Sequence, residues 1–298
     1  MMHEFNIDAK YTAKANYKSL NPEMFGFVDT GKSLIKEIRG NKYSITPIKG
    51  MDELTEAVSL QQKVWELSDY DVCPPHMWVT AIDTGGHVLG VRDESGTLVA
   101  FAAGFGGYDI VDKHAFVLSD MAAVEKNLRD SNIGFALKLA QAIYVGDQGI
   151  SEIRWTYDPL RSRNAYLNLH KLGAVVGNFY INKYGNSLAG SQNADITDRF
   201  LARWAINDKE TQNKMMNQRP PTSIEDVDII DLGKLSNASQ VALEIPTDID
   251  SLSRDQKVSA QLRFRELALT YIAERGYRCV DYATTGNHER GFYILRRE

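Results

Sequence analysis

The stretch FVLSDMAAVEKNLRDSNIGFALKLAQAIYVGDQGISEIRWTYDPLRSRNAYLNLHKLG, residues 116–173, decides the fold. Its first nine residues are apolar and partly β-branched, which predicts a buried strand over 116–124. Polar residues follow, and then apolar side chains at helical spacing predict a helix over 133–145. A second strand over 150–157 and a second helix over 161–172 complete the stretch. A strand–helix–strand of this length predicts parallel strands joined by a right-handed crossover.

The loop over residues 129–134 joins the first of these strands to its helix. Backbone N–H groups are free at a helix N-terminus, and the helix dipole makes that end positive. The sequence therefore predicts a loop that can hold a pyrophosphate.

Two motifs in this stretch resemble those of the GNAT acyltransferases. VEKNLRDSNIG, residues 124–134, resembles their acyl-CoA signature, a Val, four residues, then Arg/Gln-x-x-Gly-x-Gly, with Val124, Arg129 and Gly134 at matching positions. TYDPLRSRNAYLNLHKLGAVV, residues 156–176, resembles one bacterial predicted-acyltransferase subfamily with the motif W-T-[FY]-D-P-L…N-A-x-L-N. The resemblance covers about residues 44–298.

The resemblance implies an α/β, GNAT-like acyl-CoA N-acyltransferase fold. In such a fold a mixed, twisted central sheet is flanked by helices, and a splayed pair of parallel strands admits the pantetheine arm of the donor. The implied activity is direct transfer of a short acyl group, in a ternary complex, from acetyl-CoA or another acyl-CoA to a primary amine. The implied acceptor is a small molecule such as an amino acid.

The resemblance also implies which residues meet the donor. They belong to the end of the first strand, the loop, the start of its helix and the second helix. The implied cofactor-binding residues are Met121, Ala122, Val124, Arg129, Asp130, Ser131, Asn132, Ile133, Gly134, Phe135 and Asn164.

Three positions depart from the GNAT pattern. Asn132 stands where the signature has its first glycine, Asp130 puts a carboxylate near the expected anion, and Leu169 replaces a common general-acid Tyr. Asn accepts left-handed backbone angles better than most residues do. These departures leave two alternatives open: a donor carried by an acyl-carrier protein, and a GNAT fold that binds a ligand without catalysis.

Two residues are candidates for catalysis. Asp120 lies in the apolar run 116–124, where alternation places Asp120, Ala122 and Val124 on one face. A carboxyl group near a buried thioester has its pKa raised by desolvation and is a better base near neutral pH. Tyr166, three residues before Leu169, is the candidate proton donor to the leaving thiolate; its alternative role is packing.

Composition narrows the class of protein. The chain has 298 residues, 43% hydrophobic and 24% charged, with 34 basic and 39 acidic side chains that give a net charge of −5. This balance argues against a nucleic-acid partner. No apolar run approaches the roughly 18 residues of a membrane span, and the N-terminus lacks the apolar core of a signal peptide. We expect a cytoplasmic protein with no membrane partner.

The sequence offers no metal site. Its two cysteines, Cys73 and Cys279, lie far apart, and the histidines lack ligand spacing. Two unpaired thiols are the simplest interpretation.

The chain divides into four predicted segments. Residues 1–43 are an extension outside the resemblance that is expected to be partly helical and to pack on the core or on a second subunit, which leaves a homodimer open. Residues 44–206 are the acyltransferase domain, and 207–226, rich in Asn, Gln, Lys and Pro, are a linker. Residues 227–298 are a C-terminal βαββ extension packed on the core. No internal repeat is visible in the sequence.

The remaining predicted elements follow hydrophobic periodicity. Within the acyltransferase domain they are strands over 43–47, 86–92, 98–105, 174–182 and 200–206, a helix over 51–67 and a loop over 68–78. The resemblance implies that this loop lines the acceptor site, and the alternative is a rigid surface turn. In the extension they are strands over 241–245, 277–283 and 291–296 and a helix over 253–275.

Overall fold

Strands dominate the architecture. The computed structural model describes residues 20–185, 196–218, 222–285 and 288–297. The strands of these residues are β1 (Val28–Asp29), β2 (Leu34–Ile38), β3 (Asn41–Pro47), β4 (His87–Arg92), β5 (Leu98–Asp109), β6 (His114–Val124), β7 (Glu152–Tyr157), β8 (Val175–Tyr180), β9 (Arg199–Ala205), β10 (Asp228–Ile230), β11 (Gln240–Ile245), β12 (Arg278–Thr285) and β13 (Arg290–Arg296).

Six α-helices lie among the described residues. They are α1 (Met51–Trp65), α2 (Pro75–Asp83), α3 (Ile133–Asp147), α4 (Ser162–Ala165), α5 (Lys209–Met215) and α6 (Arg254–Ala268). A π-helical segment continues each of two helices, Tyr166–Lys171 after α4 and Leu269–Glu274 after α6.

The strands form a single mixed sheet of 13 strands in the order β1-β2-β3-β4-β5-β6-β7-β9-β8-β12-β13-β11-β10. Neighbouring strands are antiparallel except for β6 with β7 and β10 with β11. The helices flank the sheet, and the predicted α/β class with a mixed sheet is therefore confirmed. The predicted βαββ extension continues this sheet at its β8 edge through β12.

Two apolar layers cover the sheet. The larger core packs residues of α3, the α4 segment and α6 against one face. A smaller core packs α1 and α2 against β4, β5 and β6 on the other face. Consequently β6 lies between α3 on one side and the α1–α2 layer on the other.

Most predicted elements are present, strands β1, β2 and β10 were not predicted, and two helices lie in segments that were predicted as loop or linker. Helix α2 begins at Pro75, inside the predicted loop over 68–78, because a proline at the first turn is compatible with a helix. Helix α5 lies inside the predicted linker over 207–226, with Asp208 as its N-cap. Pro220 and Pro221 of that linker lie outside the described residues.

The described part of the N-terminal extension packs on the core. Strands β1 and β2 continue the sheet beyond β3, and Leu20, Phe25 and Phe27 are buried in the larger core. Residues 1–19 lie outside the described residues.

The structure contains a repeated unit that is not visible in the sequence. The unit β7–α4–β8–β9 and the unit β11–α6–β12–β13 share one topology, with sheet orders β7-β9-β8 and β11-β13-β12. The π segments start 103 residues apart, and each helix is followed by a left-handed glycine, Gly173 (φ 75°) or Gly276 (φ 72°). The strand that follows the helix in each unit, β8 or β12, has a register shift at the same place, between Val176 and Asn178 or between Cys279 and Asp281.

The two units meet edge to edge. Strands β8 and β12 are antiparallel, and Val176 pairs with Cys279, its own counterpart in the other unit. The π segment after α4 contacts β12, and the π segment after α6 contacts β8. This reciprocal packing indicates an approximate two-fold relation between the units.

Candidate active site

A wedge between β6 and β7 is the central feature of the site. The two strands are parallel and pair at Val117 with Ile153 and at Leu118 with Arg154. Beyond these pairs the strands separate, while β6 remains paired with β5 and β7 with β9. The backbone edge of β6 that faces the wedge therefore has no strand partner in the described chain. The splayed parallel pair that the resemblance implied is present.

A β-bulge at Asp120 re-aims the side chains of β6. Met121 pairs with Ala103 and Ser119 pairs with Gly104, so Asp120 is the extra residue. The prediction that Asp120, Ala122 and Val124 share a face is wrong for this reason. Val124 packs against the larger core, whereas Met121 packs against the core of α1 and α2.

Asp120 lies on the side of α1 and α2. Its charge contributes, after burial, to raising the pKa of the Cys73 thiol to about 11, so the two groups are neighbours. Gln61 of α1 holds the loop that carries Cys73. Its side chain accepts a hydrogen bond from Cys73 N at 2.8 Å and donates one to Cys73 O at 3.3 Å. The Asp120 side chain is open to solvent, yet desolvation by the surrounding protein raises the pKa of its carboxyl group.

The loop before α3 presents a row of free backbone donors. In the described chain, the amides from Asp130 to Phe135 donate no hydrogen bond, and the first α3 amide bonded to this loop is that of Ala136, to Asn132 O at 3.0 Å. Asp130 and Asn132 have left-handed backbones, with φ of 61° and 74°. Asn132 thus preserves the backbone shape that glycine allows, and consecutive unbonded amides at a helix N-terminus are an arrangement that can bind an anion.

Cations from other elements surround this loop. Arg163 of α4 lies 3.0 Å from the Asp130 carboxylate, and Arg39 donates to Asp130 O at 2.7 Å. Lys171 donates to Asn132 Oδ1 at 2.9 Å and lies 4.2 Å from the Phe135 ring centroid. Burial lowers the pKa of Lys171. The carboxylate that departs from the GNAT pattern is therefore paired with a cation.

A buried polar cluster at the apex of the wedge was missed from the sequence. Lys138 of α3 donates to Ser119 Oγ at 2.8 Å and to Gln141 Oε1 at 2.9 Å, and it lies 4.2 Å from the Trp155 ring. Ser119 and Trp155 directly follow the last paired residues of β6 and β7. Lys138 has no acidic partner among the described residues, and burial lowers its pKa to about 7.

His87 of β4 completes this cluster. Gln141 Nε2 donates to His87 Nε2 at 2.8 Å, and Nδ1 of the ring has no partner among the described residues. Burial and then the charge of Lys138 lower the pKa of His87 to about 3. The one signal of this cluster in the sequence was Lys138, a lysine within the apolar run of α3.

Tyr166 and Asn164 occupy different sides of the α4 segment. Tyr166 stacks on His170 with ring centroids 4.9 Å apart, and His170 Nδ1 lies 3.2 Å from Asp281 Oδ1 of β12. Tyr166 therefore faces the second unit, and no contact in the described chain joins it to Asp120. Asn164 is exposed, and Leu169 is fully buried.

The described residues contain no group of His, Cys, Asp and Glu side chains that could hold a metal ion. Their helices are too short or too polar to span a bilayer.

The comparisons with known proteins found similarity to solved structures alone. No protein-family model matches the chain, and no curated protein sequence matches it. Among solved structures it is similar to a chain of the NatC complex bound to Gag peptide and CoA, at 13% identity over 55% of this chain and 98% of that one, with a TM-score of 0.44. It is also similar to the ribosomal-protein-S18-alanine N-acetyltransferase from Escherichia coli, at 13% identity over 56% of this chain and 95% of that one, with a TM-score of 0.44. A third similar structure is an acetyltransferase of GNAT family from Streptococcus pneumoniae, at 13% identity over 54% of this chain and 98% of that one, with a TM-score of 0.42.

Proposed function

We propose that the chain is a GNAT-type N-acyltransferase that moves a short acyl group from acyl-CoA to a primary amine of a small molecule. The observation that carries this proposal is one continuous path. The free amides from Asp130 to Phe135 lie at the open end of the wedge, and the unpaired edge of β6 leads from there to the bulge at Asp120. A pyrophosphate at the loop would direct the pantetheine arm along this edge.

The residues present suit an acyl-CoA donor. Its pyrophosphate would meet backbone donors and the positive end of the α3 dipole, with Arg39, Arg163 and Lys171 nearby. Its amide-rich arm would meet unpaired backbone groups of β6, as a third strand would.

The reaction is a direct displacement. The amine nitrogen attacks the thioester carbon, the C–N bond forms, and the C–S bond breaks. The attacking nitrogen loses one proton and the leaving thiolate gains one, so the products are an amide and free CoA. Asp120 is the proposed acceptor of the amine proton, directly or through water, because it lies open to solvent at the bulge with a raised pKa. Tyr166 stays a prediction as the proton donor.

Calorimetry tests the donor. Acetyl-CoA and succinyl-CoA should bind, and S-acetyl-pantetheine, which lacks the pyrophosphate, should bind at least about tenfold more weakly. Mass spectrometry of an amine library incubated with each thioester would then identify the acceptor. Failure of every CoA thioester to bind at millimolar concentration would remove the proposal.

An acyl-carrier protein is a second candidate donor. The exposed Arg163 and the neighbouring Arg39 and Lys171 form a basic collar at the loop, which suits an acidic carrier. Transfer from an acyl-carrier thioester much faster than from the same acyl-CoA would favour this candidate. Equal or faster transfer from acyl-CoA would exclude the need for it.

A further inference from the structure

A cavity of about 300 Å³ lies at the seam between the two repeated units, apart from the wedge. We call it the seam pocket. Its walls come from α5 and from strands β8, β12 and β13. It is lined by Gly173, Val175, Asp208, Glu210, Thr211, Lys214, Gly276, Arg278, Val280, Arg296 and Arg297.

Two arginines of this pocket oppose each other directly. Arg278 of β12 and Arg296 of β13 are register partners, so their side chains leave the same face of the sheet. Like charges opposite each other on adjacent strands are destabilising. Arg278 makes no hydrogen bond or ion pair within the described chain, and Arg296 donates only to the neutral Gln240 side chain, at 3.1 Å.

A third arginine lies at the same mouth. Arg297 donates to Asn237 O at 3.4 Å and lies 5.0 Å from the Tyr277 ring centroid. No described carboxylate forms an ion pair with Arg278, Arg296 or Arg297. These three guanidinium groups are therefore not held in ion pairs by the described residues.

The first repeated unit shows how the same position is neutralised. Arg203 of β9 is the counterpart of Arg296, and it pairs with Glu152 at 2.7 Å and with Asp112 at 3.2 Å. Its register partner is Val175, the apolar counterpart of Arg278. The second unit has thus gained a cation and lacks the acids that balance its counterpart.

The α5 wall of the pocket carries acids as well. Asp208 Oδ1 accepts from Thr211 N at 2.8 Å as the helix cap, and Glu210 lies beside it. The buried Lys214 ammonium group already donates to Leu169 O at 3.0 Å and to Val280 O at 2.8 Å. A ligand's negative charge would therefore be held on the β12–β13 side.

We propose that the seam pocket binds a small ligand through a phosphate group held between Arg278 and Arg296, with Arg297 at the rim. One guanidinium group can donate two parallel hydrogen bonds to two phosphate oxygens. Two arginines on adjacent strands can therefore bind the same phosphate group. The volume admits a phosphorylated metabolite as well as inorganic phosphate. The inference is independent of the acyltransferase proposal.

Binding of inorganic phosphate, measured by calorimetry at low constant ionic strength, tests the inference. Arg278→Gln and Arg296→Gln should each weaken phosphate binding by about tenfold or more, and the double variant should abolish it. Both side chains are exposed, so the variants should fold. Without phosphate, each single variant should have a higher melting temperature than wild type, because the like-charge pair is removed.

Arg290→Gln is the matched control, because Arg290 is an exposed arginine of the same strand β13, lies outside the seam pocket and is paired with Glu244 at 2.6 Å. It should leave phosphate affinity unchanged. Weakening by Arg163→Gln but not by the seam variants would locate phosphate at the loop before α3 and overturn the inference. Absence of phosphate binding, or tighter binding of citrate than of phosphate that responds to the seam variants, would also overturn it.

Discussion

At the scale of single residues, the proposed role of Asp120 as the base can be tested directly. Asp120→Asn should lower the acyl-transfer rate about 10²–10⁴-fold and leave acyl-CoA affinity nearly unchanged, since the amide keeps the size of the carboxyl group but cannot accept the proton. The measurement is single-turnover kinetics with calorimetry on the same preparation. Asp83→Asn, on the exposed end of α2, is the matched control and should react at the wild-type rate.

The pH profile gives an independent check on Asp120. A base must be ionised to accept a proton, and desolvation raises the pKa of this carboxyl group. The wild-type rate should therefore rise with pH through a midpoint above the ordinary Asp range, and Asp120→Asn should lack that rise. An identical profile in both proteins would leave Asp120 a structural role.

The sequence predicted the position of the loop before α3 but not the orientation of the side chains of β6. The loop over 129–134 was predictable because the start of a helix is a local signal. The orientation of Asp120 was not predictable, because strict alternation holds only until a bulge inserts a residue. Lys138 was missed because its burial depends on where β6 and β7 separate, which is a tertiary property.

At the scale of elements, the N-terminus of α3 depends on a left-handed residue. Asn132→Gly should tighten acyl-CoA binding a few-fold, because glycine keeps φ near 74° and removes a side chain from the proposed pyrophosphate site. Asn132→Ala should instead destabilise the protein by about 1 kcal/mol, because alanine tolerates this backbone poorly. Calorimetry and chemical denaturation measure the two effects; tighter binding with alanine would contradict the argument.

The repeated units offer an internally controlled pair of glycines. Gly173 and Gly276 both have φ above 70°, so alanine is strained at either one. A Cβ at Gly173 would lie 3.1 Å from Thr211 Cα, whereas a Cβ at Gly276 meets no atom within 4 Å. Gly276→Ala should therefore cost about 1–2 kcal/mol of unfolding free energy and Gly173→Ala more than that. Equal losses in urea denaturation would show that the contact with α5 is unimportant.

The sequence could not reveal the repeat for a physical reason. Over residues 162–182 and their counterparts 103 positions later, only Ala165 and Gly173 are retained, as Ala268 and Gly276. Strand pairing, a π turn and a left-handed cap constrain backbone shape, and many side chains satisfy them. Periodicity could predict each βαββ element but not that the two units are alike.

At the scale of the whole molecule, the unfolding free energy should depend on pH through the titration of Lys138. Its pKa is lowered to about 7 in the folded state and stands near 10.5 in the unfolded chain. Below pH 7 the Lys138 side chain is protonated in both states, and the folded state bears the full free-energy cost of a buried ammonium group. Between about pH 7 and 10.5 only the unfolded state holds the proton, so the folded protein gains stability as pH rises.

Lys138→Met isolates this contribution. The variant lacks the titrating group, so the wild type should gain several kcal/mol relative to it between pH 7 and pH 9.5. The measurement is the free energy of unfolding of both proteins in guanidinium chloride. Parallel pH dependences would show that the Lys138 ammonium group does not lose its proton on folding.

The seam between β8 and β12 does not depend on protein concentration, because both strands belong to one chain. A single register pair, Val176 with Cys279, joins the two strands, supported by the crossed packing of the two helical segments. Between separate subunits so small a sheet contact would come apart on dilution. Within one chain the connection fixes a high effective concentration, so the extended sheet persists at any protein concentration. The second unit acts as a partner that dilution cannot remove.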